Sequence, residues 1–209
     1  MTRRLAAPWL TELAPPATPP GVDARAFALA MFEDLHELVA GLDLVDAAVL
    51  TAPGLGPQVE PLIWPGTPLA EVTPPDGAAA LTALAHLGAD VGLVLAADAP
   101  DLPPLLVGKA MRALGRAEVA YCPATDGSTV FLAARLPLPS WVAEVAPSLD
   151  DPSAVGRLRA AAPRRTAVAA TPGWHRIRTT DDLAMLDPGL EGWDVTRLLL
   201  AGRPLRQPG

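Results

Sequence analysis

The sequence predicts one α/β domain with a mainly parallel sheet covered on both faces. Three observations carry this. The strand candidates are continuous apolar runs, such as Val91–Ala96, rather than alternating ones, as expected of strands buried on both sides. Strand and helix candidates alternate, the pattern of crossover connections. The chain has 209 residues and is 50% apolar, enough for one sizeable core, with no internal repeat and no evident linker.

The elements follow in order. Residues 1–21 are proline-rich, without a clean period, and read as irregular. A helix is expected from Ala24, with Asp23 as its cap, Phe27, Met31, Leu35, Leu38 and Val39 on one face, and Gly41 as its stop. Asp46–Thr51 reads as a short buried strand, and "PLIW" as a second. Asp76 can cap a helix that runs through Leu87 and ends at Gly88. Strand Val91–Ala96 follows, then a helix from about Pro103 to Leu114, ended by Gly115. "EVAYCP" and "TVFLAAR" read as strands, about Pro152 to Ala162 as a helix, and "RTAVAA" and "WHRIR" as strand-like. Thr179 can cap a short helix, Thr180–Leu186, and a last helix is expected over Val195–Ala201. Many of the 25 prolines, more than twice what a usage of about 5% would supply, sit at these boundaries.

Composition narrows the function. The net charge is −7, Lys109 is the sole lysine and no basic run exists, which argues against a nucleic-acid partner. A single cysteine, Cys122, excludes an intramolecular disulfide and a cysteine-built metal site, and its apolar setting reads as a buried thiol. The N-terminus lacks a long apolar signal region, and the most apolar window, Ala78 to Ala97, is interrupted by His86, Gly88 and Asp90. No membrane association and a cytoplasmic location are the expectation.

The stretch "VGLVLAADAPDLPP" carries the functional signal. In open α/β sheets ligands bind outside the carboxyl ends of the strands. Asp98 falls at that end of Val91–Ala96, and Asp101 just before the next helix. Carboxylates there can hold Mg²⁺ or Mn²⁺, and the metal a diphosphate. The alternative is structural: Asp98 accepts loop N–H bonds and Asp101 caps the Pro103 helix.

"LVLAADAPDLPP" resembles the x-D-x-P-D-L-P signature, preceded by a hydrophobic strand, of a bacterial family, the radical-SAM/selenodomain-associated transferases. These have the nucleotide-diphospho-sugar transferase fold of glycosyltransferase A type, a three-layer α/β/α sandwich. "LAPPATPP", with the helix after it, is similar to that family's T-R-L-A-P-P-L-T-P segment. "CPATDGSTVFLAAR" is similar to G-P-A-x-D-G-G-Y-Y-L-I-G, and "RIRTTDDLAML" to D-V-D-T-P-E-D-L. These segments cover most of the chain. Molybdenum-cofactor and phospholactate nucleotidyltransferases share the layout but match less well. The resemblance implies a phosphate-gripping loop after the first strand, a divalent metal at Asp98, Asp126 and Gly127 near the acceptor side of the cleft, and group transfer from a nucleotide or nucleotide-sugar donor by charge neutralisation and alignment.

This chain departs from that pattern in three places. The family's K-T-R falls on Leu10, Thr11 and Glu12, so an acid replaces a cation beside the phosphate. The family's first strand and glycine loop need more than the ten residues available, so that strand is expected to be missing, or the true start to lie upstream. A missing strand would leave an edge that a partner chain, a homodimer included, could cover. The terminal D-V-D falls on Arg176 and Arg178, whose charges would repel a divalent cation. Arg178 is expected to pair with Asp98 in the ion's place, or to hold a phosphate directly.

Other candidates are weaker. His175 could face the cleft; His36 is expected to face solvent, and His86 sits at a helix C-terminus. Trp64 and Trp174 are cleft candidates. "GLG" lacks a dinucleotide context, and neither G-x-S-x-G nor a Walker motif is present. Two functions remain: a diverged nucleotidyl- or glycosyltransferase using a nucleotide-activated donor, with Asp98 and Asp126 central and Asp101, Gly127, His175, Arg176 and Arg178 around them, or a non-catalytic relative that binds a ligand or partner.

Overall fold

The structure, a computed structural model, describes residues 2–201. Eight strands form one sheet: β1 (Arg4–Leu10), β2 (Asp46–Ala47), β3 (Val49–Thr51), β4 (Leu69–Glu71), β5 (Val91–Ala96), β6 (Val119–Pro123), β7 (Thr129–Arg135) and β8 (Val168–Ala170). Their order is β4-β3-β1-β5-β7-β6-β8, with β2 pairing β1. Only the β5–β7 and β6–β7 pairings are antiparallel; the others are parallel. The helices are α1 (Ala24–Ala40), α2 (Gly56–Val59), α3 (Gly77–His86), α4 (Pro104–Ala113), α5 (Ser140–Val145), α6 (Ala154–Ala161) and α7 (Asp194–Leu200).

Alternate strand residues divide between two packed layers, the period-2 geometry of a sheet covered on both faces. Leu5, Ala7 and Trp9 of β1 and Val94 and Ala96 of β5 pack with Leu81 and Leu84 of α3 and Leu158 of α6. Ala6 of β1, Leu93 and Leu95 of β5, and Phe131 of β7 pack with Leu35 and Val39 of α1 and Leu106, Val107 and Ala110 of α4. A smaller cluster, with Trp193 fully buried, ties α7 to Phe27 and Met31 of α1. Helix starts follow the expected chemistry: Asp23 accepts the Ala26 N–H at 2.8 Å, and Asp76 the Ala79 N–H at 2.9 Å.

The largest correction concerns the N-terminus. The first strand is present: Arg4–Leu10 lies between β3 and β5, in register Arg4↔Val91 through Trp9↔Ala96 with β5. No vacancy is left for a partner chain to cover. Pro8 hides this strand in the sequence, because proline in a central strand removes a ladder donor. The structure shows where that donor is missed. The carbonyls of Ala6 and Leu10 accept from Ala48 and Ala52, so alternate backbone groups of β1, that of Pro8 included, face β2 and β3. Pairing on that side stops at Ala6↔Ala47 and resumes at Trp9↔Leu50. The β5 side is unbroken.

Four smaller expectations also change. "PLIW" is not a strand: Glu60–Leu62, with Pro61 inside it, is a 3₁₀ turn, and the strand is Leu69–Glu71. "WHRIR" makes a single bridge, Ala124↔Trp174, because past Trp174 the backbone leaves β6 for the β5–α4 loop, where the Ile177 N–H donates to the Asp98 carbonyl. Asp101 does not cap α4, whose cap position is Pro103 with no side-chain bond. His36 is fully buried rather than solvent-facing: α1 is covered on this side too, and Nε2 accepts the Trp64 N–H at 3.1 Å. Thr179, by contrast, caps as expected, and does so through a capping box with Asp182 at the start of a 3₁₀ turn, Thr180–Met185.

Helix α3 seats against the loop after α5 through Gly77, whose N–H donates to the Pro147 carbonyl at 2.7 Å. A Cβ on Gly77 would lie 2.7 Å from that oxygen and 3.1 Å from Leu132, whereas one on Gly108 in α4 would meet nothing within 4 Å. Gly77→Ala is therefore expected to lower unfolding free energy by about 1–3 kcal/mol. Gly108→Ala is expected to raise it by about 0.5–1 kcal/mol. Urea denaturation of both variants checks the seating, and a neutral Gly77→Ala would contradict it.

Candidate functional site

The candidate site lies where the fold rule puts it, beyond the carboxyl ends of β1 and β5. A cavity of about 190 Å³ opens there, lined by Trp9, Leu10 and Glu12 after β1, Met31 of α1, Asp98 after β5, and Asp150 and Arg176. Strand β5 runs into the Asp98–Asp101 loop, so backbone geometry fixes both aspartates.

Asp98 and Arg176 form the centre. Arg176 Nε donates to Asp98 Oδ1 at 2.7 Å and Nη2 to Oδ2 at 2.9 Å, a bidentate pair. The approach is set by the backbone, since the Ile177 N–H donates to the Asp98 carbonyl at 2.7 Å. The other donors of Arg176 are engaged too. Nη1 reaches the carbonyls of Leu149 (3.2 Å) and Thr129 (3.3 Å), and Nη2 lies 2.8 Å from Asp150 Oδ1. The arginine side chain is only 6% exposed. Burial pulls the Arg176 pKa down, but Asp98 and Asp150 together outweigh it and hold it above its ordinary value.

Arg178 was expected on Asp98; Arg176 takes that place. The Ile177–Asp98 backbone bond positions Arg176 against the aspartate, and Arg178, two residues on, reaches outward. It pairs with Asp150 through Nη1, and its Nε is 3.9 Å from Asp126. Asp126 accepts the Ser128 N–H at 2.9 Å and hydroxyl at 2.5 Å, closing the turn in which Gly127 adopts φ +87°. Burial works to raise the Asp126 carboxyl, but the Ser128 bonds and then Arg176 and Arg178 hold it below the usual carboxylate range. Asp150 is held low in the same way, burial being outweighed by Arg176 and Arg178.

Asp101 and His175 form a second, separate constellation. The Asp101 side chain is fully buried and accepts from Trp174 Nε1 at 3.2 Å and the Asp187 N–H at 3.1 Å, with His175 Nε2 2.9 Å away. Trp174 stacks on His175 at 4.7 Å between ring centroids. Neither Asp101, His175 nor Trp174 lines the cavity. Their bonds fasten the segment after β8 to the loop after β5, which holds Arg176 in place. Trp64 lies away from the cleft, in a shallow groove with Arg3 and Asp46. Sequence reasoning missed Asp150, which lies in the "SLDDPS" loop with no motif to mark it, and Trp9, hidden in the strand that was not expected.

A divalent ion does not fit these residues. Both Asp98 oxygens are taken by a guanidinium, and Asp150 is shared between two. Among the described residues, no group of three or more His, Cys, Asp or Glu is placed to hold a metal. No helix among them is long and apolar enough to cross a membrane. The free Cys122 thiol is buried, which pushes it up to about 11, as expected of an inert cysteine.

No family profile matches the chain, and no curated protein matches it by sequence. Solved structures do. A Desulfovibrio desulfuricans G20 protein assigned to the nucleotide-diphospho-sugar transferases superposes with a TM-score of 0.69 at 19% identity, over 95% of each chain. A CMP:2-keto-3-deoxy-manno-octonic acid synthetase, complexed with CTP, gives 0.56 at 12% identity, over 82% of this chain and 90% of the other. Rv0371c of Mycobacterium tuberculosis H37Rv, in complex with manganese, gives 0.52 at 20% identity, over 96% and 100%. At such identities the likeness establishes architecture: the chain has the nucleotide-diphospho-sugar transferase-like fold, shared with nucleotidyltransferases.

Removing one partner of the central pair leaves the other buried and under-compensated. Asp98→Asn is expected to lower stability by about 3 kcal/mol, the lower end for such a loss because Asp150 still faces Arg176. Depressed carboxyl pKa values stabilise the fold above the unfolded value of about 3.9. That contribution is lost as pH falls through the folded values, so stability should drop steeply below about pH 4. Asp150→Asn should make the drop shallower, and a pH series of urea melts reads both effects.

Proposed function

We propose that this chain is a non-catalytic, ligand-binding relative of the nucleotide-activated-donor transferases, in which Arg176 stands where the metal-dependent members of the fold would hold their cation. One observation carries the reading: Asp98, the carboxylate that the sequence resemblance assigns to the metal, is held through both oxygens by a buried guanidinium that has no donor left over. A bidentate pair of this kind supplies the aspartate with a fixed charge, as an ion would, but offers no open coordination position for a phosphate. The position after β1 adds to this. Glu12 lines the cavity where the resemblance expects a cation, so a polyphosphate would meet a carboxylate.

A second reading, transfer from a nucleotide-activated donor without a metal, draws on one different feature. Arg178 is 34% exposed at the rim, between Asp126 and Asp150, and could turn to a diphosphate. In that case Arg178 and Asp126 would flank the donor, with Arg176 and Asp98 as supports.

Both readings are tested by melting the protein with CTP and with a set of nucleotide sugars, each with and without Mn²⁺. A ligand that binds the native state raises the melting temperature by mass action, roughly 2.7 kcal/mol of stabilisation at a hundredfold excess over Kd. The non-catalytic reading predicts no shift that depends on Mn²⁺. A metal-dependent shift abolished by Asp98→Asn would overturn it. A metal-independent nucleotide shift abolished by Arg178→Gln would favour the second reading.

A further inference from the structure

Gaining a proton matters most to a histidine whose ring nitrogen serves as an acceptor, because the imidazolium has none to offer. His36 of α1 is in that position. It is fully buried, and its Nε2 accepts the backbone N–H of Trp64 at 3.1 Å. A backbone N–H can only donate, so Nε2 is bare, the ring is neutral and its one hydrogen sits on Nδ1. Nδ1 is buried without an acceptor among the described residues, and the stacked ring of Phe32 supplies none. The other two histidines differ. His175 Nε2 meets Asp101, a contact that a neutral ring with Nε2–H and an imidazolium can both keep. His86 is exposed at the end of α3. His36 alone of the three loses its contact when it is protonated.

What His36 holds is a turn that leads into the edge strand of the sheet. The Trp64 carbonyl accepts the Thr67 N–H at 3.0 Å, and the Pro68 carbonyl accepts from Val49 of β3 at 2.8 Å, just before β4 begins. The Trp64 side chain is half exposed. With Arg3, Asp43, Asp46 and Pro65 it lines a groove of about 500 Å³.

We infer that His36 is an acid-sensitive latch: protonating it breaks the Trp64 contact and frees the turn at residues 64–67, opening the groove that this turn walls. Burial alone holds the His36 pKa below its ordinary value. The charged groups on the elements around it are Glu33, Asp34 and Glu37 of α1, Glu60 of the 3₁₀ turn, and Arg3, Asp43 and Asp46 along the groove. None of them hydrogen-bonds or pairs with the imidazole among the described residues. A depressed histidine pKa stabilises the closed turn fully above the value regained on opening, about 6.5. That stabilisation is lost as pH falls from there towards the folded value.

Amide hydrogen exchange read by NMR tests the latch. From about pH 7.5 to about pH 5, protection of the Trp64 amide, corrected for intrinsic exchange, should fall about tenfold, with a ceiling of about thirtyfold. At the lower pH it should exchange well ahead of the Leu93 amide in β5, a strand paired on both sides, which marks a local opening. His36→Gln cannot titrate, so its Trp64 protection should no longer change with pH. The ring gives a reading that needs no variant: nitrogen shifts of the isotope-labelled imidazole should show Nδ1 protonated and Nε2 bare at neutral pH. Constant Trp64 protection in the native protein, the same loss in His36→Gln, Trp64 and Leu93 exchanging together at the lower pH, or a proton on Nε2 would each overturn the inference.

Discussion

The bidentate contact between Asp98 and Arg176 organises the carboxyl end of this sheet. Two charges come out of water together, which is tolerable only because their geometry is good and every remaining donor of the arginine finds an oxygen. The loop after β5, the turn at Thr129, the Asp150 loop and the segment after β8 all converge on one guanidinium. The contact therefore acts as a staple between loops that the sheet alone does not join. The buried Asp101, with Trp174, His175 and Asp187 around it, secures the same segment a few residues earlier.

The fold and the site make different demands on the chain. A nucleotide-diphospho-sugar transferase-like sheet supplies a cleft whatever lines it, because strand ends, crossover helices and twist place the opening. What lines the cleft decides its chemistry. Here a guanidinium meets the aspartate at the end of β5, and an acid follows β1. An ion pair closes on itself and leaves the cavity beside it apolar and negative. On the proposed reading, that surface suits recognition more than the charge redistribution of group transfer.

Much of this was legible in the sequence, and what was not has physical reasons. Apolar runs gave the central strand β5 and the helices against it, and Asp23, Asp76 and Thr179 announced their caps. The aspartate loop was found because a strand end followed by Asp-x-x-Asp is local information. Strand β1 was lost because Pro8 contradicts a central strand, yet the chain places its missing donor opposite a break between two short neighbours, where the ladder is already interrupted. The partner of Asp98 was placed two residues too far along. Which of two arginines reaches an aspartate 78 residues away depends on a backbone bond, from Ile177 to Asp98, that only the fold creates. Asp150 was invisible for the same reason: its significance lies in what the tertiary structure sets beside it.

The central claim is that a guanidinium occupies the place of a cation at Asp98. Diffraction from crystals grown with Mn²⁺ and CTP, read at the manganese absorption edge, tests it most directly. The account predicts Arg176 still bidentate on Asp98, with no anomalous peak within coordination distance of that carboxylate. A manganese peak bonded to Asp98, with Arg176 swung aside and the CTP phosphates completing the ion's shell, would contradict it.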